Sequence, residues 1–216
     1  MKKAKIDSAV LEAEDASAYR PGGTERSIAE LEAATHKLTL RRIRDMLPGK
    51  IETRRLVLRA PIRGDVPELV RNANNKNVSS KLARMPHPYT GADAVAFIEL
   101  FSQRADERPY AITLDGKFIG IVGLSFYEGR APELGYWLGE PFWGRGIATE
   151  AGRALIDAAH KIPLVETIAA RALPDNLASI KVLEKLGFHR AGSKAKPKKS
   201  AANIPVLFEL QRPRWM

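Results

Sequence analysis

Apolar and polar positions follow different periods along this chain, and the change falls near residue 50. Between residues 25 and 46 the apolar side chains Ile28, Leu31, Leu38, Leu40 and Ile43 recur at helical spacing. They predict helices over 25–34 and 36–46, with Thr24 as cap of the first and Gly22-Gly23 breaking any earlier helix. Pro48-Gly49 closes the segment. From Ile51 onward the pattern is αβ. Leu56-Val57-Leu58-Arg59 reads as a short strand of β-favouring residues. Asp65 stands at the cap position of a helix running to Asn74, and a second helix is predicted over 76–84. The prolines of Met85-Pro86-His87-Pro88-Tyr89-Thr90 enforce an extended turn. Thr90 then opens a helix with Ala94, Phe97, Ile98 and Phe101 on one face.

The second half alternates strands and helices. Strands are predicted over 110–114 and 117–126, joined by the hairpin signal Asp115-Gly116. A strand over 133–138 leads through a glycine-rich turn into a helix over 149–161. A strand over 167–172 precedes a helix over 177–186, with Asn176 at its cap. Segments 188–191 and 204–211 read as a closing antiparallel pair around a basic loop. No internal repeat or low-complexity block is visible. The domain reading is a helical or partly disordered extension over 1–50, then one αβ domain over 51–216.

Composition narrows the function classes. Apolar residues make up 44% of the chain, enough for a sizeable core. The absence of cysteine removes disulfides, thiolate metal sites and a cysteine nucleophile, and it fits a reducing cytoplasm. No apolar run reaches the ~18 residues of a membrane span, and no signal-length apolar stretch follows the basic start. A soluble, non-exported protein is therefore expected. The net charge is +10, and residues 190–216 hold seven Lys/Arg against one acid, chiefly Lys194, Lys196, Lys198 and Lys199. Such a loop attracts nucleic acid, an acidic surface or a phosphate-rich cofactor, or is merely solvated. It lacks the interleaved aromatics that stack on bases, which weighs against nucleic acid. His36, His87, His160 and His189 show no metal-ligand spacing, so no metal is expected.

The chemistry concentrates after the strand Glu133-Leu134-Gly135-Tyr136-Trp137-Leu138. There Trp143-Gly144-Arg145-Gly146-Ile147-Ala148-Thr149-Glu150 runs straight into helical residues. A helix start exposes unpaired N–H groups and a partial positive charge, and small residues let a large anion approach. Strand, small-residue turn and helix together make a pyrophosphate cradle. It is not a P-loop, which needs a Gly-Lys-Ser/Thr ending, and it lacks the three spaced glycines of a dinucleotide fingerprint. Downstream, Asn176 and Ser179 are spaced to face one side of a helix start. Trp137, Trp143, Tyr136 and Phe142 read first as core.

The turn resembles the coenzyme A-binding motif of the GNAT superfamily, Gln/Arg-x-x-Gly-x-Gly/Ala. Gly146 and Ala148 take the last two positions, and Trp143 stands where Gln or Arg is usual. Phe142-Trp143-Gly144-Arg145-Gly146-Ile147-Ala148-Thr149-Glu150-Ala151 is similar to the version in the ribosomal-protein N-terminal (alanine/serine) acetyltransferase branch. So are segment 85–90, Pro174-Asp175-Asn176-Leu177-Ala178-Ser179 and Val182-Leu183-Glu184-Lys185-Leu186-Gly187-Phe188. The resemblance spans about Ile51 to Leu210 and leaves residues 1–50 outside it. It implies an α/β (α+β) fold: a mixed, mostly antiparallel sheet of six to seven strands with flanking helices, splayed between the fourth and fifth strands.

The resemblance also implies an N-acetyltransferase with acetyl-CoA as co-substrate, moving acetyl directly onto a primary amine. Trp137 and Leu138 would offer main-chain bonds to the pantetheine arm. Trp143, Gly144, Arg145, Gly146, Ile147, Ala148 and Thr149 would surround the pyrophosphate, with Arg145 adding charge. Asn176 would bond the pantetheine amides, or simply cap its helix. Ser179 would protonate the leaving sulfur, or simply pack. Lys185 and Lys181 would meet the adenosine phosphates or water. Glu133, at the entry of the lining strand, is the first choice of base, since a partly buried carboxylate has a raised pKa; a water relay or a strand-edge ion pair is the alternative. His87 and Tyr89 lie on the loop that the family uses near the acceptor. The acceptor itself reads as a protein or peptide N-terminal α-amine, with a small antibiotic or polyamine as the alternative. A non-catalytic coenzyme A- or nucleic-acid-binding regulator is the reading from another class. No membrane partner is expected, and monomer and homodimer both stay open.

Overall fold

The computed structural model describes residues 22–82, 85–191 and 204–213. The basic loop 193–200 with its lysines, and Arg84, lie outside the described residues. The chain divides into two compact units after Thr35. The smaller is described only from Gly22, where helix α1 (Gly22–Met46) begins. One helix thus stands where two were expected. No breaker separates them, and Thr35 Oγ1 donates back to the Leu31 carbonyl at 2.8 Å, a bond helical backbone accommodates. Thr24 falls inside this helix instead of at its start.

In the larger unit, from His36 on, an eight-stranded sheet runs in the order β1-β2-β3-β4-β5-β6-β8-β7. The strands are β1 (Lys50–Glu52), β2 (Leu56–Arg59), β3 (Glu107–Leu114), β4 (Lys117–Ser125), β5 (Glu133–Leu138), β6 (Thr167–Ala172), β7 (His189–Arg190) and β8 (Val206–Gln211). All neighbours pair antiparallel except β5 and β6. The count exceeds the expected six to seven because of β1, only three residues long and not predicted; β7, two residues long, lies within the predicted segment 188–191. With β1 counted, the splay expected between the fourth and fifth strands falls at the parallel junction of β5 and β6.

Both faces of the sheet are covered, and strand alternation decides which residue serves which face. On one face Leu56, Leu58, Ile112, Val122, Leu124 and Leu134 pack under α5 (Ile147–His160), α6 (Leu177–Leu186) and the buried Leu40, Ile43 and Leu47. On the other, Ala111, Phe118 and Ile121 meet Leu69 and Ala73 of α2 (Val66–Ala73) and Ala94 of α4 (Gly91–Ala96). The β3–β4 hairpin turns on Asp115 and Gly116, both at positive φ (50° and 78°), as the sequence signal required.

Three local expectations change. Asp65 precedes α2, but its side chain does not cap it. The buried carboxylate instead takes two 2.7 Å bonds from Arg59 and one from the Ile62 N–H, which satisfy a buried charge more fully than a cap does. Helix α3 (Lys76–Ser79) is far shorter than the predicted 76–84. Thr90 does cap α4, accepting from Asp93 N at 3.3 Å. Beyond Ala96, however, the helix widens into a π turn (Phe97–Phe101), with Ser102 N bonding Phe97 O at 2.8 Å. The wider winding carries Phe101 off the predicted buried face and leaves it 52% exposed.

Candidate active site

Strand β5 delivers the chain to the turn through a tight passage. At Gly139 any Cβ would lie 2.0 Å from Asn72 Oδ1, so no side chain fits beneath α2. A short 3-10 turn (Glu140–Phe142) follows, held from α3 by Asn75 and Asn77, which donate to the two Glu140 carboxylate oxygens at 2.7 and 2.9 Å. Gly144 and Gly146 then both take left-handed conformations, φ 73° and 72°. Gly146 is the N-cap of α5 and supplies no side-chain cap to its first turn. A Cβ built on Gly144 meets nothing within 4 Å. The turn therefore offers uncapped N–H groups beside open space, which fits a pyrophosphate. Arg145 is exposed, with its guanidinium 5.9 Å from the Phe142 ring centroid. Ile147 is buried at 1% exposure and anchors the helix start, while Ala148 and Thr149 are half-buried.

Trp143 serves the turn differently from the Gln or Arg it replaces. Its indole Nε1 donates to the Leu138 carbonyl at 2.8 Å, stapling the turn to the end of β5. Beneath the turn lies a network that sequence reading missed. Glu150 Oε1 accepts from Thr53 Oγ1 at 2.7 Å and from Arg55 N at 3.1 Å, and Oε2 accepts from Arg55 Nε at 2.7 Å. Arg55 Nη1 reaches on to the Arg145 carbonyl at 3.2 Å. Burial raises the pKa of the Glu150 carboxyl, but the bonds from Thr53 and Arg55 outweigh it and hold the group below its usual value. The only signal in the sequence is a charged Arg54-Arg55 pair ahead of β2, and nothing local ties it to residues 90 positions away.

The junction of β5 and β6 pairs at only Glu133↔Ala169 and Leu134↔Ala170. Past Leu134 the two strands part. Gly139 N bonds Ile119 O at 2.9 Å, so with the antiparallel alternation Trp137 turns its main-chain groups to β4 while Tyr136 and Leu138 turn theirs to the gap. Of the two residues expected to line the arm, Leu138 faces the gap with its N–H, its carbonyl being taken by Trp143. Trp137 faces away, and its ring packs 6.0 Å from Phe118.

Across the gap stands the start of α6. Asn176 caps it, Oδ1 accepting from Ser179 N at 3.2 Å, which leaves the amide nitrogen of Asn176 for another partner. Tyr136 spans from β5 to the same point: its hydroxyl lies 2.8 Å from Ser179 Oγ and donates to the Ser179 carbonyl at 3.1 Å. Burial pushes the Tyr136 phenol up to about 12, against the opposing bond from Ser179, so it is protonated at neutral pH. The Tyr136 ring packs against the main core, as the sequence predicts, and its hydroxyl adds it to the candidate site. Lys185 and Lys181 are exposed, and Lys185 sits two turns further along the helix.

Glu133 lies in the paired stretch just before the gap. Its Oε2 accepts from the Arg171 guanidinium on β6, and it remains 20% exposed. His87 is exposed on the loop before α4. Tyr89, two residues on, is 6% exposed within the second core cluster, and burial, aided by Asp93, pushes its hydroxyl up to about 12. His36 accepts from Gly129 N at 2.9 Å, and no group of three or more potential metal ligands occurs among the described residues. A groove of about 590 Å³ between β1 and α5 is lined by Lys50, Glu52, Arg54, Glu150, Arg153 and Asp157 among others, and by no residue of β5 or α6. It is therefore not the gap beside Ser179.

The comparisons with known proteins bear on family and fold. A family model described as "Acetyltransferase (GNAT) domain" matches residues 55–189. The curated protein "Probable N-acetyltransferase YjcK" of Bacillus subtilis (strain 168) is 40% identical over 81 residues, 36% of this chain and 45% of that protein. The chain thus spans less than half the length of that relative. Among solved structures, the ribosomal α-N-protein acetyltransferase RimL in complex with coenzyme A superposes with TM-score 0.63 at 22% identity, over 76% of this chain and 97% of that one. An aminoglycoside acetyltransferase in complex with coenzyme A superposes with TM-score 0.59 at 22% identity, over 73% and 95%. At such identities the likeness is one of fold.

Proposed function

The chain belongs to the GNAT acetyltransferase family, and on that premise we propose that it transfers acetyl from acetyl-CoA directly to a primary amine, the α-amine of a protein or peptide N-terminus. The observation that carries this reading is the gap between β5 and β6, bounded at one end by the anion-binding turn and at the other by Ser179. A long anionic thioester with its phosphates at one end and its reactive carbonyl at the other matches that layout. The turn holds the pyrophosphate through backbone N–H groups, with Arg145 adding charge. The Leu138 N–H bonds the arm, and Asn176 offers its amide nitrogen to the same arm.

The reaction forms a C–N bond to the acetyl carbon and breaks the C–S bond. The incoming ammonium must first lose a proton, since free amines are mostly charged at neutral pH. Glu133 takes it directly or through water, and its ion pair with Arg171 fixes the carboxylate in place. As the amide forms, the nitrogen sheds its second proton to water; the departing sulfur takes a proton from Ser179 Oγ, which the Tyr136 hydroxyl orients and which regains its proton from water. Exposed His87 lies toward the acceptor. Buried Tyr89 supports that loop from beneath. The N-terminal amine as acceptor draws on the motifs shared with the ribosomal-protein branch and on the RimL likeness. A small polyamine or aminoglycoside acceptor is favoured by one observation, the comparable likeness to the aminoglycoside enzyme. No helix among the described residues is long and apolar enough to cross a membrane, and a cysteine-free chain suits work in the cytoplasm.

The test is thiol release from acetyl-CoA by the purified full chain, with matched panels of N-terminal peptides, polyamines and aminoglycosides. Peptide turnover at least tenfold above the small amines is expected. The reverse order selects the small-amine reading, and coenzyme A binding without turnover on any amine rejects the enzymatic one.

A further inference from the structure

The network beneath the turn holds more than the fold alone requires. Glu150 places a negative charge in the first turn of the helix whose N-terminus faces the pyrophosphate. Unscreened, that carboxylate repels the ligand the turn is shaped to take. Arg55 and Thr53 bind both of its oxygens from the β1–β2 side. Arg55 also has a second contact, Nη1 to the Arg145 carbonyl at 3.2 Å. The peptide joining Arg145 to Gly146 is planar and trans, so its C=O and N–H point in opposite directions. Holding the carbonyl toward Arg55 aims the Gly146 N–H away from it, on the other side of the turn. This peptide is otherwise easy to flip, since it ends in a left-handed glycine and is preceded by another at Gly144.

We propose that Arg55 is a positioning residue for coenzyme A binding: it fixes the orientation of the Arg145–Gly146 peptide, so that the Gly146 N–H meets the pyrophosphate, and it screens Glu150 from that anion. Arg55 acts through the backbone and through Glu150, without touching the reacting atoms. One guanidinium performs both tasks because its donors are fixed in a plane and diverge; a lysine ammonium is a single point of charge. The inference rests on the reading of the turn as the pyrophosphate site.

The experiment compares Arg55→Ala, Arg55→Lys, Glu150→Gln and the double variant Arg55→Ala/Glu150→Gln by calorimetric titration with coenzyme A and with pantetheine, which lacks the pyrophosphate. Arg55→Ala is expected to weaken coenzyme A binding roughly ten- to a hundredfold, the effect of losing charge-assisted bonds, with pantetheine affinity unchanged. Arg55→Lys falls between wild type and Arg55→Ala. Adding Glu150→Gln to Arg55→Ala restores part of the loss, because the unscreened charge goes with it. A purely structural role lowers both affinities alike and overturns the inference, as does coenzyme A binding that Arg55→Ala leaves unchanged. If Arg55→Ala does not fold, the same two-ligand comparison on Arg55→Lys decides. Wild-type protein that binds no coenzyme A overturns the reading of the turn itself; wild-type binding with no effect in the Arg55 variants overturns this inference alone.

Discussion

Two kinds of glycine surround the site, and they fail differently on substitution. Gly144 and Gly146 have positive φ and room around them, the nearest atom to a Cβ on Gly146 being Arg55 Nη2 at 3.8 Å. An added methyl there strains only the backbone, by about 1–2 kcal/mol. Gly139 has an ordinary φ of −56°, but its Cβ would strike Asn72 Oδ1. Asn72 would have to leave the Glu68 and Phe118 carbonyls to which its Nδ2 donates. Gly146→Ala is thus expected to fold with a modest loss of stability and weaker coenzyme A binding, since the turn relaxes away from its binding shape. Gly139→Ala is expected to lose more stability, roughly 2–3 kcal/mol, from a displaced and unsatisfied amide. Urea unfolding of both variants, with calorimetry on the folded fraction, checks the order; equal losses would remove the distinction between strain and clash. From the sequence alone the two were indistinguishable small residues in a run. What told them apart was a helix 65 or more positions earlier in the chain.

Among the elements, legibility followed periodicity and punctuation. Strands β5 and β6 and helix α6 coincide with the predicted 133–138, 167–172 and 177–186, because each is a run rich in apolar residues set off by nearby Gly, Pro or Asn. β1 was missed because three residues of exposed and half-exposed pattern carry no alternation to read. Helix α5 was read with its start two residues late, and its last turn carries a feature no pattern announces. His160 is 4% exposed, and its Nε2 has no hydrogen-bond partner among the described residues. Burial first, then the charge of Arg212, lowers its pKa from the ordinary 6.5, with Asp157 opposing. The sign follows from proton counting. The unfolded chain protonates His160 near its ordinary value, while the folded chain resists until lower pH. Stability from a neutral His160 is therefore complete above that value and is lost as pH falls toward the folded pKa. His160→Gln is expected to flatten the stability profile between about pH 7 and pH 5. Urea midpoints at these two pH values measure it; parallel profiles for wild type and variant would assign the acid sensitivity elsewhere.

At the scale of the whole larger unit, the gap that makes the site also divides the sheet. Strands β1 to β5 join β6, β7 and β8 through only two backbone-paired positions at the β5–β6 junction. Further links among the described residues include the Glu133–Arg171 and Lys81–Asp175 pairs, the Tyr136–Ser179 bond and the packing of α5 on α6, where Arg153 donates to the Lys185 carbonyl and a Cβ on Gly152 would lie 2.9 Å from Leu186 Cδ1. The succession of strands, turn and helices was legible in the sequence, as was the family whose motifs it carries. How few positions hold the halves together was not, because pairing length depends on where two strands part in space. On the proposed reading, a ligand lying along the gap would bond Leu138 on one side and Asn176 on the other, and so tie the halves. Any ligand binding only the folded state adds about 2.7 kcal/mol at a hundredfold excess over its Kd. For a unit of this size that corresponds to a Tm rise of roughly 5–10 °C. The location of the effect separates bridging from simple binding at the turn. With coenzyme A, slowed hydrogen exchange is expected at the Tyr136 and Leu138 amides, at the start of α6 and across β6. The β3–β4 hairpin, already paired along its length, should change little beyond the global shift. A Tm rise with protection confined to the turn and the first turn of α5 would show that the cofactor anchors at its phosphates without entering the gap, and would remove the basis for placing its acetyl group beside Ser179.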